Sequence, residues 1–212
     1  MKKTLTILRR DKHFARLIKK HGPPQTSRYF PTASGIFHAL LRSIIYQQIS
    51  GSAARSIHTR FIELFPRKTP TPKALLRLSI QKLRSVGLSK QKVAYIRDVA
   101  KKFSDGSLRH KKFPDMTSAE IIEHLCEIKG IGEWTAHMLL LFTLKRPDIL
   151  PTGDLGIKKG FQVIYGLKSL PNHKQMEQLA KPWRAHASAA SWYLWRAADE
   201  VVGRNVDTHD KK

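Results

Sequence analysis

Residues 125–136 read Leu125-Cys126-Glu127-Ile128-Lys129-Gly130-Ile131-Gly132-Glu133-Trp134-Thr135-Ala136. Just upstream, Thr117 with Glu120 three residues later is a capping-box signature ahead of Ile121, Ile122, Leu125 and Ile128. A helix starting there ends near Ile128. A second begins at once and runs from about Glu133 to Leu144, before Arg146-Pro147 stops it. The Gly-x-Gly between them permits left-handed backbone angles and leaves no side chain to hold a phosphate away. The amides of Gly130, Gly132 and the following turn, Thr135 included, then face outward from a positive helix terminus, an anion site that suits a DNA phosphate. Lys129 falls before the turn, as a phosphate contact or a solvated side chain. Ile131 is expected to be buried, pinning the two helices. An ordinary helix–helix turn that needs glycine only for its geometry fits the same residues.

Working outward, nearly every apolar segment keeps helical spacing. Ser34 or Gly35 opens a helix carrying Ile36, Phe37, Leu40, Leu41, Ile44 and Ile45. Thr71-Pro72 is a cap followed by a first-turn proline, leading into Leu75, Leu76 and Leu78. Ser89 precedes the stripe Val93, Ile96, Ala100 and Phe103. Residues 175–201 supply one or two more helices. No alternating strand and no Asn-Gly hairpin is found, so the predicted fold class is all-α with short connections.

The 212 residues carry 39 Lys+Arg against 16 Asp+Glu, a formal net charge of +23. Such an excess self-repels unless a polyanion offsets it, and nucleic acid is the first candidate, because each neutralised phosphate releases a counterion. Solubility, an acidic protein partner or ribosome association are the other readings of the charge on its own, which does not choose DNA over RNA or binding over chemistry. One cysteine excludes a disulfide framework, an iron–sulfur cluster and a thiolate zinc site. No run of 18 or more apolar residues occurs, so no spanning helix is expected. The start, Met1-Lys2-Lys3-Thr4, continues into charged residues rather than the apolar stretch of a signal peptide. An intracellular protein without a membrane partner is expected: in the cytoplasm or nucleoid of a prokaryote, or the nucleus of a eukaryote. The ten histidines, His186 among them, form no metal-ligand pattern, and Cys126 reads as a small apolar helical residue.

The hairpin segment resembles the helix-hairpin-helix of a DNA glycosylase superfamily whose motif ends in a Gly/Pro-rich loop and an aspartate. Leu150-Pro151-Thr152-Gly153-Asp154-Leu155-Gly156 matches that loop and puts Asp154 on the aspartate. Ile44-Ile45-Tyr46-Gln47-Gln48-Ile49-Ser50 with Ala53-Ala54 resembles a segment of its alkylpurine branch, the 3-methyladenine DNA glycosylase II type. Leu83–Ser89, Lys92, Lys181-Pro182-Trp183-Arg184 and Trp192-Tyr193-Leu194-Trp195 also fit, so the likeness runs from about residue 35 to 197. Two features depart from it. Only about 30 residues stand where the best-known members carry an extra β-rich domain, and Met138 replaces an aromatic residue one turn after the hairpin tryptophan.

The resemblance implies two helical subdomains with a DNA and active-site cleft between them. Residues 35–150 would form one, with the hairpin motif at about 118–144. Residues 1–34 and 151–205 would form the other, with 206–212 a disordered tail. The implied activity is that of a monofunctional base-excision-repair glycosylase, flipping alkylated purines such as 3-methyladenine and 7-methylguanine out of duplex DNA and hydrolysing the N-glycosidic bond. The alternatives are a glycosylase for deaminated or oxidised bases and a hairpin protein that binds DNA without chemistry.

In the implied reaction Asp154 stabilises an oxocarbenium-like sugar and orients water. Its residue type and place before a helix fit a plain N-cap as well. Strand-cleaving branches carry a lysine two residues after the second hairpin glycine. Here that position is Trp134, so no lyase activity is expected. The implied base pocket comprises Trp134, Trp192, Met138 and Gln47, with an indole face attracting a cationic base, although tryptophans at helical spacing also suit a core. Trp183 and Trp195 are assigned to the core. Gln48 matches the family's wedge; Gln47 and Gln48 otherwise read as a polar break in a buried helix. No catalytic cofactor is implied, only an alkali ion, Na+ or K+, on the backbone carbonyls of Cys126, Ile128 and Ile131. The expected partner is double-stranded DNA, bound by a monomer.

Overall fold

A computed structural model describes residues 1–24 and 33–201, and the segment 206–212 lies outside them. Among the described residues there are twelve α-helices and no strand. These are α1 Lys2–Leu8, α2 Lys12–His21, α3 Ala33–Tyr46, α4 Gly51–Ile62, α5 Pro72–Arg77, α6 Ile80–Ser85, α7 Lys90–Ser104, α8 Ser118–Cys126, α9 Glu133–Met138, α10 Leu155–Tyr165, α11 His173–Ala180 and α12 Ala187–Val201. The caps explain most of the starts. Ser50, Thr71, Ser79, Ser89, Thr117, Asp154 and Asn172 each accept an amide of the first turn, and Thr117–Glu120 forms the full reciprocal box.

The described residues fall into two compact units: those from Ala33 to Leu144, and those up to residue 24 together with the chain from Lys145 onward. Residues 145–150, expected with the first unit, therefore belong with the second. The reason is local. Ser188 on α12 accepts the Ile149 amide at 3.0 Å and donates to the Arg146 carbonyl at 2.5 Å, and Ser191 donates to the Ile149 carbonyl at 3.1 Å.

In the unit of α3 to α9, the central α3 buries Ile36, Phe37, Leu40, Leu41, Ile44 and Ile45. Against it lie Val93, Ile96, Val99 and Ala100 of α7, the face that the Ser89 stripe predicted, with Val99 added. The C-terminus of α3 leaves carbonyls that the helix cannot satisfy. Lys92 of α7 caps two of them, donating to Ile45 at 2.7 Å and Gln47 at 2.8 Å. Burial lowers the Lys92 pKa from its ordinary value. The helix predicted over 133–144 is regular only to Met138; Leu139–Thr143 is a π-helical turn, in which the Leu144 amide reaches the Leu139 carbonyl at 2.9 Å.

In the other unit, α1 and α2 join α10, α11 and α12 around Phe14, Phe161, Trp183 and Tyr193. The half-buried Tyr165 and the buried Tyr193 both find acceptors: Tyr165 donates to Asp11 Oδ2 at 2.7 Å and Tyr193 to the Gly22 carbonyl at 2.7 Å. Desolvation pushes the Tyr193 hydroxyl up to about 12. The closest approach is that of α10 and α12 at Gly160, where a Cβ would stand 2.3 Å from the Leu194 carbonyl oxygen. Backbone there cannot rotate aside, so Gly160→Ala is expected to lose about 1–3 kcal/mol of stability from overpacking. A urea melt followed by circular dichroism measures it, and an unchanged midpoint refutes the steric account.

Candidate active site

Asp154 ends the turn Pro151–Asp154, closed by the Asp154 amide on the Pro151 carbonyl at 2.9 Å. Its carboxylate is the N-cap of α10, with Oδ1 accepting the Ile157 amide at 3.0 Å. The same oxygen accepts the Trp195 indole N–H of α12 at 2.9 Å. Two donors at one oxygen fix the plane of the carboxylate, which remains partly exposed. Trp195 is thus a partner of the aspartate rather than simply the core residue expected. Gly156 makes the pairing possible: a Cβ there would lie 2.7 Å from Trp195 Cδ1 and 3.0 Å from Asp154 Oδ1.

Trp192, a turn earlier on α12, is half-buried, and the Arg196 guanidinium lies 4.8 Å from its ring centroid. The indole expected to face a cationic base therefore already holds a cation on its π surface.

In the other unit the hairpin is tight and held by residues of α7 and of the turn that follows α3. Ile128 and Ile131 are buried, and the Ile131 amide donates to the Ile128 carbonyl at 3.0 Å. Gly130 has φ +82 and faces the Tyr95 ring, where a Cβ would stand 2.1 Å from Tyr95 Cδ2. Asp98 Oδ2, also on α7, accepts the Lys129 amide at 3.0 Å. Gln47, expected in a base pocket, instead donates its amide to the Gly130 carbonyl at 2.9 Å. Gly132 has φ −100 and uses no left-handed angle. It caps α9 without a side chain, and a Cβ there would meet nothing within 4 Å, so packing gives no reason for glycine at this position.

Lys129 is exposed, whereas Thr135 is 4% exposed with its amide in the first turn of α9, so its hydroxyl is not open to an incoming ligand. Trp134 is 51% exposed, and Met138 follows one turn later on the same helix, half-buried. Gln48 is exposed with φ +55; it closes α3 instead of interrupting a buried helix. Cys126 is exposed at the last residue of α8, not packed as an apolar residue, and burial with the Glu133 carboxylate pushes its thiol up. Among the described residues no group of three His, Cys, Asp or Glu is placed to hold a metal. The carbonyls of Cys126, Ile128 and Ile131 are hard oxygen donors of the kind an alkali ion takes, and that of Ile128 keeps a second lone pair.

Sequence reasoning missed Tyr95, Asp98 and the Trp195 contact. Tyr95 and Asp98 lie on the solvent-side register of an amphipathic helix, and nothing local in the sequence couples them to a turn thirty residues away. For Trp195 a signal existed: the glycine two residues after Asp154 has no turn to make.

Residues 41–185 match the model of the HhH-GPD superfamily of base excision DNA repair proteins. The chain is 30% identical over 193 residues to DNA-3-methyladenine glycosylase 1 of Schizosaccharomyces pombe, covering 89% of this chain and 83% of that one. Two solved structures agree. One is a DNA-3-methyladenine glycosidase from Bacillus halodurans, with TM-score 0.84, 34% identity and coverage of 94% and 90%. The other is the Schizosaccharomyces pombe 3-methyladenine DNA glycosylase in complex with abasic DNA, with TM-score 0.79, 29% identity and coverage of 92% and 95%. Hairpin, glycine-bounded aspartate and all-helical fold are those of one lineage, and the chain belongs to the HhH-GPD superfamily of base excision DNA repair proteins.

Proposed function

We propose that the chain is a monofunctional DNA glycosylase that flips alkylated purines out of duplex DNA and hydrolyses their N-glycosidic bond. The observation that carries this reading is the Asp154 carboxylate, fixed on one oxygen by the Trp195 indole and the Ile157 amide yet still partly exposed. The likeness to relatives named for 3-methyladenine supports the substrate class.

Alkylation at a ring nitrogen leaves a cationic leaving group, so strong acid catalysis is less needed. What the reaction wants is a fixed negative charge beside the developing sugar cation and a water to capture it. Asp154 supplies the charge and orients the water. Trp195 acts through Asp154 and is a positioning residue. Trp192 offers its indole face to the extruded base, which displaces or shares the place of Arg196. Trp134 and Met138 on α9 are further surfaces suited to an unstacked base, and Gln48 fills the stack as wedge. The hairpin amides from Gly130 to Thr135, with Lys129, take a backbone phosphate, and the Cys126, Ile128 and Ile131 carbonyls would hold an alkali ion whose positive charge adds to the hairpin's attraction for an anion. The chain acts as a monomer on double-stranded DNA.

Duplexes containing 3-methyladenine, 7-methylguanine, hypoxanthine or ethenoadenine test the reading, with released base and strand breaks scored separately. Free alkylpurine without nicking is expected. Nicking in the absence of alkali overturns the monofunctional assignment, and no base release from any duplex overturns the enzyme. Trp195→Phe keeps the aromatic bulk and removes the donor. Its single-turnover rate is expected to fall about tenfold, because a small misplacement of a reacting group is costly. Duplex affinity measured by anisotropy stays unchanged, and an equal loss in rate and affinity contradicts the positioning role.

A further inference from the structure

In the unit of α3 to α9, a recess of about 280 Å3 opens between α3, α4 and the turn at 66–70, and the reaction above makes no use of it. Four of its lining side chains are basic: His38 and Arg42 from α3, His58 from α4 and Lys68 from the turn. Among the described residues its lining holds no acidic side chain, and its apolar part comprises the half-buried Ala39 and Ile62 with the buried Leu41 and Phe61.

These side chains are held in place by the fold. The Arg42 guanidinium rests 4.3 Å over the Tyr46 ring, and that ring meets His58 edge-on at 6.2 Å. His38 Nε2 donates to the Pro70 carbonyl at 2.9 Å, which fixes the imidazole against the turn. Burial first, then the positive charges of Arg42 and His38, push the His58 imidazole down from its usual value. Glu63 stands 4.0 Å from Lys68 Nζ, with both side chains more than half exposed. A pair of that kind contributes little.

The turn is built in an unfavourable conformation. Arg67 and Lys68 both have φ +54, two successive left-handed residues without a glycine. L-residues adopt this backbone only where the surroundings hold them, and such positions collect at ligand sites. Here the turn sets an ammonium at the edge of an already cationic recess.

We propose that this recess is a second phosphate-accepting site, taking one phosphate group between Arg42, His58 and Lys68 with the carbon skeleton of its ester laid on Ala39 and Ile62. A guanidinium fork suits phosphate oxygens, and the missing acidic lining leaves an anion to supply the counter-charge. The volume sits at the lower edge of small-molecule pockets, about 300–1,000 Å3, so the occupant is no larger than a mononucleotide. A phosphate of this description comes from a free nucleotide or from the backbone of bound DNA, and the experiment separates the two.

A deoxynucleoside 5′-monophosphate and inorganic phosphate are titrated calorimetrically into the full chain, into Arg42→Gln/His58→Gln and into Lys68→Gln. The last changes an exposed side chain and serves if the double variant folds poorly. The salt dependence of binding to an undamaged duplex is measured on the same proteins. For a free nucleotide, the monophosphate saturates the unmodified chain, inorganic phosphate competes, and each variant weakens binding about tenfold or more. For a backbone phosphate, the small molecules do not saturate, and the slope of log affinity against log salt falls by about one for each cation removed. Small-molecule binding that is absent, or equal in all three proteins, together with an unchanged salt slope, overturns the site whether or not the chain releases bases.

Discussion

Asp154→Asn is expected to lower the rate of alkylpurine release by about 10²–10³, the scale seen when one pre-organised electrostatic group is removed from an active site. The substitution is unusually clean. Asn caps helices as well as Asp does, so the bond from the Ile157 amide survives and α10 keeps its start. An amide oxygen also still accepts the Trp195 indole N–H. What disappears is the negative charge. Melting temperature and duplex affinity should therefore match the unmodified chain while single-turnover release collapses. A variant that releases base at the original rate removes Asp154 from the chemistry and leaves it as a cap, the role its residue type fits equally well.

Gly130→Ala is expected to be the most damaging single-methyl change in the hairpin. Two penalties fall on one residue: φ +82 is disfavoured for any L-residue, and the new Cβ would lie 2.1 Å from Tyr95 Cδ2 and 2.5 Å from Tyr95 Cγ. Cγ, which rotation of the ring about its own axis does not move, is itself within 2.5 Å, so a ring flip does not clear the contact. Together the strain and the overpacking come to about 2–4 kcal/mol. The loss should be local, with the Gln47 and Asp98 contacts released and duplex affinity falling more than overall helicity. Gly132→Ala is the control, because its Cβ meets nothing within 4 Å of protein and φ −100 suits any residue. If Gly132→Ala leaves stability intact but weakens DNA binding, the space above that glycine belongs to a ligand. If the two variants weaken DNA binding equally and without loss of stability, the steric account of Gly130 fails.

The helical class and the starts of α5, α7 and α8 were legible because caps are local: Thr71-Pro72, Ser89 and Thr117 with Glu120 each act within one turn of themselves. The apolar stripes of α3 and α7 were legible for the same reason, since periodicity alone fixes their buried faces. Asp154 illustrates the limit. Residue type and position gave a cap, which it is, and only the family resemblance pointed to chemistry. Gln47 shows the converse: the resemblance drew it toward a base, whereas its amide is engaged by the Gly130 carbonyl. Contacts between residues far apart in the chain, such as Lys92 with Ile45 and Gln47, leave no periodic trace, so neither the C-cap of α3 nor the cradle under the hairpin could be read in advance.

The helix α7 meets the end of α3 through Lys92, the glycine of the hairpin through Tyr95, and the amide beside it through Asp98. These three residues follow one another at single-turn intervals. Residue 48 and the 129–132 loop are thus mounted on one short rod, and the gauge between them is set by the pitch of an α-helix rather than by loop tension. A calliper of that kind keeps its opening when either jaw is pushed, and an inserted or deleted residue between 92 and 98 would twist one jaw away from the other by about 100°.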